Sequence, residues 1–379
     1  MAMQFTVAHA DLLPALAQLT RTAPTHPVRP VLSAIGLVAA ENTLTLSATD
    51  LETAAVTRLP AAVAEEGAAA LPARYLHEAV RRVPSGEVRF QGIAGGSGAR
   101  IQWGTGHCTI HGFSPADFPS IPPFPEAPER TMTQGALRRI IQRTAFAAAQ
   151  GETGRALLTG VELRFGHEGV FALATDGFQV ASYATHPAVE RPENGAVVVP
   201  ATVLLEVARS LAEGDAPCDI ARDGNRLLFR FGSMHVATRL LEGKYFAVLD
   251  MVPKVFPTVA RVDRDVLTGA CERVGLISDN EAPYAVSAAF APGEIRLSAA
   301  SPDVGEAEEA VPAEVEGPQL IAGFNGRQLI HGLRRLEGNV VHIELSGAQT
   351  LARFTTPADP CLQYMQMPLH MPGSEEGEG

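Results

Sequence analysis

The sequence predicts an α+β fold: three tandem copies of one domain, helices on one side and antiparallel strands on the other. Three observations predict it. Ala48-Thr49-Asp50 recurs as Ala174-Thr175-Asp176, 126 residues on, and a degraded copy, Ala300-Ser301-Pro302-Asp303, follows almost one further period later. A period this long indicates tandem domains rather than a solenoid. Proline clusters, Pro122-Pro123-Phe124-Pro125 with Pro128 and then Pro253 to Pro257, cut the chain near its thirds. Proline lacks a backbone N–H and fixes φ, which suits extended connectors. Finally, each third repeats the same succession of helix and strand patterns.

The first helix of each copy shows as an apolar stripe at 3.6-residue spacing. Leu12, Leu13, Leu16 and Leu19 form the first stripe. Leu137, Ile140 and Ile141 follow a cap at Thr133, and Leu267, Ala270 and Val274 follow Asp263. Alternating strands come next at Thr43 to Ser47, Val170 to Ala174 and Ile295 to Ser298, each leading into the Asp-bearing turn. A second helix is expected on Tyr75, Leu76, Ala79, Val80 and Val83, on Val203, Leu204, Val207 and Leu211, and on Leu329, Ile330, Leu333 and Leu336. Strands close each copy at Glu87 to Gln91, Arg226 to Phe231 and Val340 to Leu345. The internal doubling implies two similar halves per domain. The expected domains are residues 1–127, 128–253 and 254–371, followed by an acidic, glycine-rich, disordered tail at 372–379.

Composition bounds the function. The chain has 379 residues, 46% apolar and 19% charged, enough for each third to bury its own core. The formal charge of −12 argues against a plain nucleic-acid binder, although a local basic face can coexist with it. The helices carry such cations: Arg81, Arg82, Arg138, Arg139, Arg143, Arg209, Arg273, Arg334 and Arg335. Each alone reads as a solvated helix face; pooled on one side they would make sequence-independent, salt-sensitive phosphate contacts. Cys108, Cys218, Cys271 and Cys361 form no C-x-x-C pair, so neither a metal site nor a disulfide framework is expected. No signal peptide or bilayer-length apolar run is read, and a cytoplasmic protein is expected.

An enzyme would need a catalytic constellation. Asp50 and Asp176 could pair as carboxylates, with His107, His111 or His167 as acid–base partners. Repetition favours a turn-holding Asp instead, bonded to its own backbone. The chain holds no P-loop, G-x-S-x-G, H-E-x-x-H or dinucleotide fingerprint. Gly95-Gly96-Ser97-Gly98 lies between two strand patterns and reads as a hairpin tip. No catalytic residue and no cofactor are expected.

Several stretches together resemble the bacterial DNA polymerase III beta subunit family, the sliding clamps. They are Arg29-Pro30-Val31-Leu32, Leu46 to Glu52, Asp117-Phe118-Pro119, Phe324-Asn325, Ala174-Thr175-Asp176-Gly177 beside the family's A-T-D-G-H-R, and Tyr364 to Leu369 beside its Y-x-x-M-P-M. The resemblance covers essentially the whole chain. It implies three clamp domains per subunit and a head-to-tail homodimeric ring around double-stranded DNA, with helices lining the hole. It also implies partners that dock through short peptide motifs: the polymerase III alpha subunit, the clamp loader and repair polymerases. A scaffold serving mainly repair proteins is the alternative.

Carried over by position, the implied partner pocket comprises Leu158, Thr175, Gly177, Phe178, Gln179, Val180, Phe246, Asp250, Met251, Leu351, Met365, Met367, Pro368 and Leu369. By pattern alone the apolar ones among these read as plain core, and only the resemblance reverses that. Phe178 and Gln179 replace the family's His and Arg, and Phe246 and Asp250 replace its Pro and Arg, so peptide preference should differ. The implied subunit interface sets Cys108 and Ile110 against Leu276 and Ile277, with Glu306, Glu308 and Glu309 opposite Arg74 and Arg100. Of the implied DNA contacts, Gln150 and Arg155 are kept; His26 stands at an arginine position, and Ala201 and Thr202 replace a basic pair. Weak direct DNA affinity is expected, with topology supplying retention.

Overall fold

The computed structural model describes residues 3–93, 97–151, 153–167, 169–186, 195–278 and 284–370. The glycines at 95 and 96 and the tail at 372–379 lie outside the described residues.

The strands form three sheets. A five-stranded sheet runs Ala62–Glu65 (β5), Gln4–Ala8 (β1), Glu87–Gly92 (β7), Gly98–Trp103 (β8) and Gly106–His111 (β9). An eight-stranded sheet runs Arg130–Thr133 (β10), Pro217–Asp223 (β15), Arg226–Phe231 (β16), Met234–Arg239 (β17), Thr53–Pro60 (β4), Thr43–Thr49 (β3), Ala34–Ala40 (β2) and Gly67–Pro72 (β6). In the twelve-stranded sheet the order begins Ala196–Pro200 (β14), Gly160–Phe165 (β11), Val170–Thr175 (β12), Gln179–Ala184 (β13), Leu362–Gln366 (β25) and Ala352–Thr355 (β24). It continues Val340–Leu345 (β23), Thr258–Asp263 (β18), Gly305–Glu316 (β21), Glu294–Ser301 (β20), Ala285–Ala291 (β19) and Leu320–Asn325 (β22).

The helices are His9–Thr22 (α1), Ala73–Arg81 (α2), Gln134–Thr144 (α3), Ala201–Ser210 (α4), Arg264–Gly275 (α5) and Gly326–Leu333 (α6). Helix α1 packs on α2, β3 and β4, while α5 packs on α6, β20 and β21. Each buries the stripe that the sequence shows: Leu12, Leu16 and Leu19 on α1, Leu137, Ile140 and Ile141 on α3, Leu267, Ala270 and Val274 on α5. The caps also form. Asp263 accepts from the amides of Asp265 and Val266, Thr133 from Ala136 and Asn325 from Gln328.

Two expectations are corrected. A strand precedes the first helix of every copy (β1, β10 and β18), so each copy is a βαβββ half written twice, with the short extra strand β5 in the first. Tyr75 is 66% exposed, because α2 turns Ala73, Leu76 and Val80 inward.

The chain forms two compact units. Unit one comprises Met1–Arg138 and Val203–Leu240; unit two comprises Arg139–Thr202 and Leu241–Gly379. The units cut across the sequence repeats. Unit one contains the five- and eight-stranded sheets, and its larger sheet joins the first and second copies through β4–β17. Unit two holds the twelve-stranded sheet, which joins the second and third copies through β13–β25.

Candidate functional site

In unit two the repeated turn is tied down by its own hydrogen bonds. The Asp176 carboxylate accepts from the amides of Phe178 (2.8 Å) and Gln179 (2.9 Å), and the Thr175 hydroxyl donates to the Gln179 carbonyl (2.7 Å). Gly177, at φ 99°, supplies the left-handed residue that closes the turn. The second Asp176 oxygen accepts from Gln179 Nε2 (3.0 Å) and Gln328 Nε2 (2.8 Å). The repeated Asp therefore holds backbone and side-chain amides. Asp50 does the same in unit one, accepting from Glu52 (3.0 Å) and Thr53 (2.6 Å), whereas Asp303 makes no such bond among the described residues.

From that turn, β13 pairs antiparallel with β25, Val180 opposite Met365, and the Met367 amide donates to the Phe178 carbonyl (2.7 Å). Val180, Leu351 and Met365 join Phe171, Leu173, Val198 and Tyr245 in one buried apolar cluster, with Met367 against its side. Four of the pocket residues expected from the sequence thus meet. Thr175 joins them through Tyr245, whose hydroxyl accepts from the Thr175 amide (3.1 Å) and donates to the Gly160 carbonyl (2.9 Å). Burial, the largest cause, raises the Tyr245 phenol far above its ordinary pKa, so it stays a donor.

The remaining expected pocket residues are spread around this cluster. Phe178 and Met251 are 65% and 64% exposed. Phe246 stands edge-on to Tyr245 (5.8 Å between centroids) under the Arg155 guanidinium (5.9 Å). Pro368 is buried, Leu369 donates its amide to Gly323 (2.7 Å), and Asp250 is exposed. Gln179 is 5% exposed, and its amide group is taken up by Asp176 and by the Tyr364 hydroxyl (3.3 Å). Leu158 is half-buried and outside the cluster; Leu157 packs there in its place. Sequence reasoning also missed Tyr245, Leu241, Val248, Leu249 and Val252. Their signal was the apolar run ahead of Pro253, from which only Phe246, Asp250 and Met251 are read as pocket residues.

The helix arginines are mostly paired. Arg81 and Arg82 share Glu78, Arg138 meets Glu213 (3.0 Å), and Arg209 meets Glu206. Arg273 grips Glu309 with two bonds (2.6 and 2.9 Å), which hold that carboxyl below the usual range, and Arg334 meets Glu272 (2.7 Å). Arg139 bonds the Tyr183 phenol. Arg143 is corrected from solvated face to near-core: its side chain is 14% exposed, on the Arg335 carbonyl and Glu337. Arg335 is half-buried over the Phe146 ring (5.6 Å), and burial lowers its pKa. His26, Gln150 and Arg155 are exposed.

Among the open strand edges, two carry expected interface residues. β9 pairs only with β8, and its Cys108 and Ile110 alternate with exposed His107, Thr109 and His111. On β21, Gly305 to Pro312 pair with β20 on one side, whereas β18 pairs only from Ala313 on. Glu306 and Glu308 are exposed there, Glu308 already bonded to Arg296 (2.8 Å). Leu276, at the end of α5, is 76% exposed; Ile277 is half-buried, and Arg74 and Arg100 are exposed. No described helix is long and apolar enough to cross a membrane.

Three consecutive two-halved copies, joined edge to edge by shared sheets, define a tandem clamp-type architecture. Comparison gives the family. Residues 3–122, 131–246 and 250–370 match, in order, the N-terminal, central and C-terminal domains of the DNA polymerase III beta subunit. A beta sliding clamp of Synechococcus elongatus is 30% identical over 97% of this chain and 100% of its own. One from Streptomyces coelicolor is 28% identical over 98% and 100%. Among solved structures, the DNA polymerase III subunit beta of Pseudomonas aeruginosa gives a TM-score of 0.90 at 27% identity, covering 97% of this chain and all of that one. The Bacillus subtilis DNA polymerase sliding clamp gives 0.91 at 23% identity, over 98% of this chain and all of that one, a likeness of fold. The chain belongs to the DNA polymerase III beta subunit family, the beta sliding clamps.

Proposed function

We propose that the protein is a processivity clamp. Two copies close head to tail into a ring around duplex DNA, and a polymerase and other partners dock short peptides on unit two. The observation that carries this reading is the unbroken order of three clamp domains from residue 3 to residue 370. Three features support it. The open edge of β9 is complementary in kind to the open edge of β21, and such heterologous contacts close into rings. The Val180, Met365 and Met367 cluster beside exposed Phe178 suits an adaptable apolar peptide. Asp50 and Asp176 are tied to their own turns, as residues that hold the fold would be.

Arginines already paired with glutamates contribute little phosphate attraction. Retention on DNA then rests on topology, and the protein works in the cytoplasm. Sedimentation equilibrium at micromolar concentration should give a dimer; a monomer there overturns the ring. Met367→Ala should weaken partner-peptide binding with the dimer intact, and unchanged affinity contradicts the docking assignment.

A further inference from the structure

The turn and strand that build the unit-two site recur in unit one at the same register. Thr49 and Asp50 hold their turn as Thr175 and Asp176 do, the Thr49 hydroxyl donating to the Thr53 carbonyl at 2.7 Å. Three residues past each Asp, the outgoing strand meets a strand of the next copy: Thr53 opposite Thr238, and Gln179 opposite Gln366. The bond from Met367 to Phe178 is matched by the Arg239 amide donating to the Glu52 carbonyl at 2.9 Å. Ile121 before Pro122 lines this place, as Val252 before Pro253 packs beside the unit-two cluster.

The side chains differ. Where unit two fills the step with Val180 opposite Met365, unit one has Ala54 opposite Ala237. The smaller pair leaves a cleft of about 50 Å³, whose lining includes Leu51, Glu52, Ala54, Ile121, Arg226 and Ala237. That is space for a few waters, hence for one short side chain. Leu51, 44% exposed, forms its lip, and prolines on the linker wall offer no competing N–H.

The cleft lining carries one cation, Arg226, and one anion, Glu52. Arg226 sits directly across from Arg239 on the paired strands. Arg239 meets Glu52 at 3.3 Å, but Arg226 has no ion-pair or hydrogen-bond partner among the described residues. Asp223, across the β15–β16 hairpin, pairs with Arg226 in register without an ion pair.

We propose that unit one carries a second peptide-docking site, which takes a partner segment presenting a small aliphatic side chain beside a carboxylate. The aliphatic group fills the alanine-floored cleft, and the carboxylate meets Arg226. The proposal rests on the reading of unit two as a peptide-docking site, and its own cleft and unpaired cation set the ligand.

The test is methyl NMR of the full chain with labelled Ile, Leu and Met methyls, titrated with acetyl-Gly-Ser-Val-Asp-Gly-amide and its Asn counterpart. Ile121 and Leu51 methyls should shift with the Asp peptide. The Asn peptide, or Arg226→Gln, should weaken that response roughly tenfold, as loss of a hydrogen bond to a charged group does. Leu51→Gly removes the lip while easing the backbone, so it should also weaken binding without unfolding. Silent Ile121 up to millimolar peptide, or a response indifferent to Arg226→Gln, overturns the proposal. Met367 reports separately on unit two: if Met367 moves and Ile121 does not, the second site fails and the first stands. If Ile121 shifts on deleting residues 371–379 without any peptide, the cleft belongs to the chain's own tail, and the partner assignment is overturned.

Discussion

Leu51 and Gly177 occupy the same place in two copies of one turn, at φ 81° and 99°. Only glycine adopts that backbone freely, and a side chain held there costs about 1–3 kcal/mol. Leu51→Gly should therefore raise the chemical-denaturation midpoint; a fall would show that the Leu51 side chain contributes more than its backbone costs. Gly332 has the opposite constraint, because a Cβ there would overlap the Tyr364 ring. Tyr364 is fully buried, with its hydroxyl donating to the Gln328 carbonyl at 2.9 Å, so it cannot yield. Gly332→Ala should lose at least about 1–3 kcal/mol, the range for overpacking a core.

His235 sets a pH dependence. Burial, the largest cause, lowers its pKa, and nearby Arg58 and Arg230 lower it further, against a bond to the Pro122 carbonyl. Its Nε2 has no hydrogen-bond partner among the described residues. The folded chain refuses a proton that the unfolded chain accepts below about pH 6.5, so stability falls as pH drops through that window. His331, also lowered by burial and by Arg335 and Arg334, acts in the same direction. The unfolding free energy should decline from pH 7 to pH 5.5, and His235→Gln should flatten part of the decline. An unchanged slope in that variant would remove His235 from the account.

At the scale of elements, the helices were legible because their stripes and caps are local. Asp263 shows this: it bonds two free amides of α5, and Asp263→Ala should cost about 1 kcal/mol in thermal unfolding. The short strands were not legible. Arg130–Thr133 shows no apolar alternation and becomes a strand only because β15 pairs with it. Arg143 was misread for the same reason, since its partner carbonyl lies 192 residues away. Arg143→Ala leaves Asp359, 8% exposed, without its nearest cation; a loss of about 3–5 kcal/mol is expected on denaturant titration. The docking site was half legible. Repetition revealed the turn, but the Tyr245 hydroxyl that ties Thr175 to Gly160 depends on folding.

Exposed Leu276, just past the end of α5, which packs on β21, belongs to this scale too. Leu276→Ala with Ile277→Ala should weaken self-association by about 2–5 kcal/mol per side chain buried between copies. Sedimentation showing an undisturbed dimer would move the interface elsewhere.

For the whole molecule, the repeat is a means of joining sheets. Each compact unit is sealed by a strand borrowed across a copy boundary, β17 onto β4 in one and β25 onto β13 in the other. The edges left open at β9 and β21 are where the proposed ring would add a further copy. With a net charge of −12 and most of its helix arginines paired with glutamates, the protein has little reason to bind DNA by attraction. Retention on nicked circular DNA after clamp loading, measured by gel filtration in high salt, tests this most directly. The account predicts that the protein stays on the circle at high salt and is released when the circle is cut once. Loss at high salt from the intact circle, or retention after cutting, would contradict it.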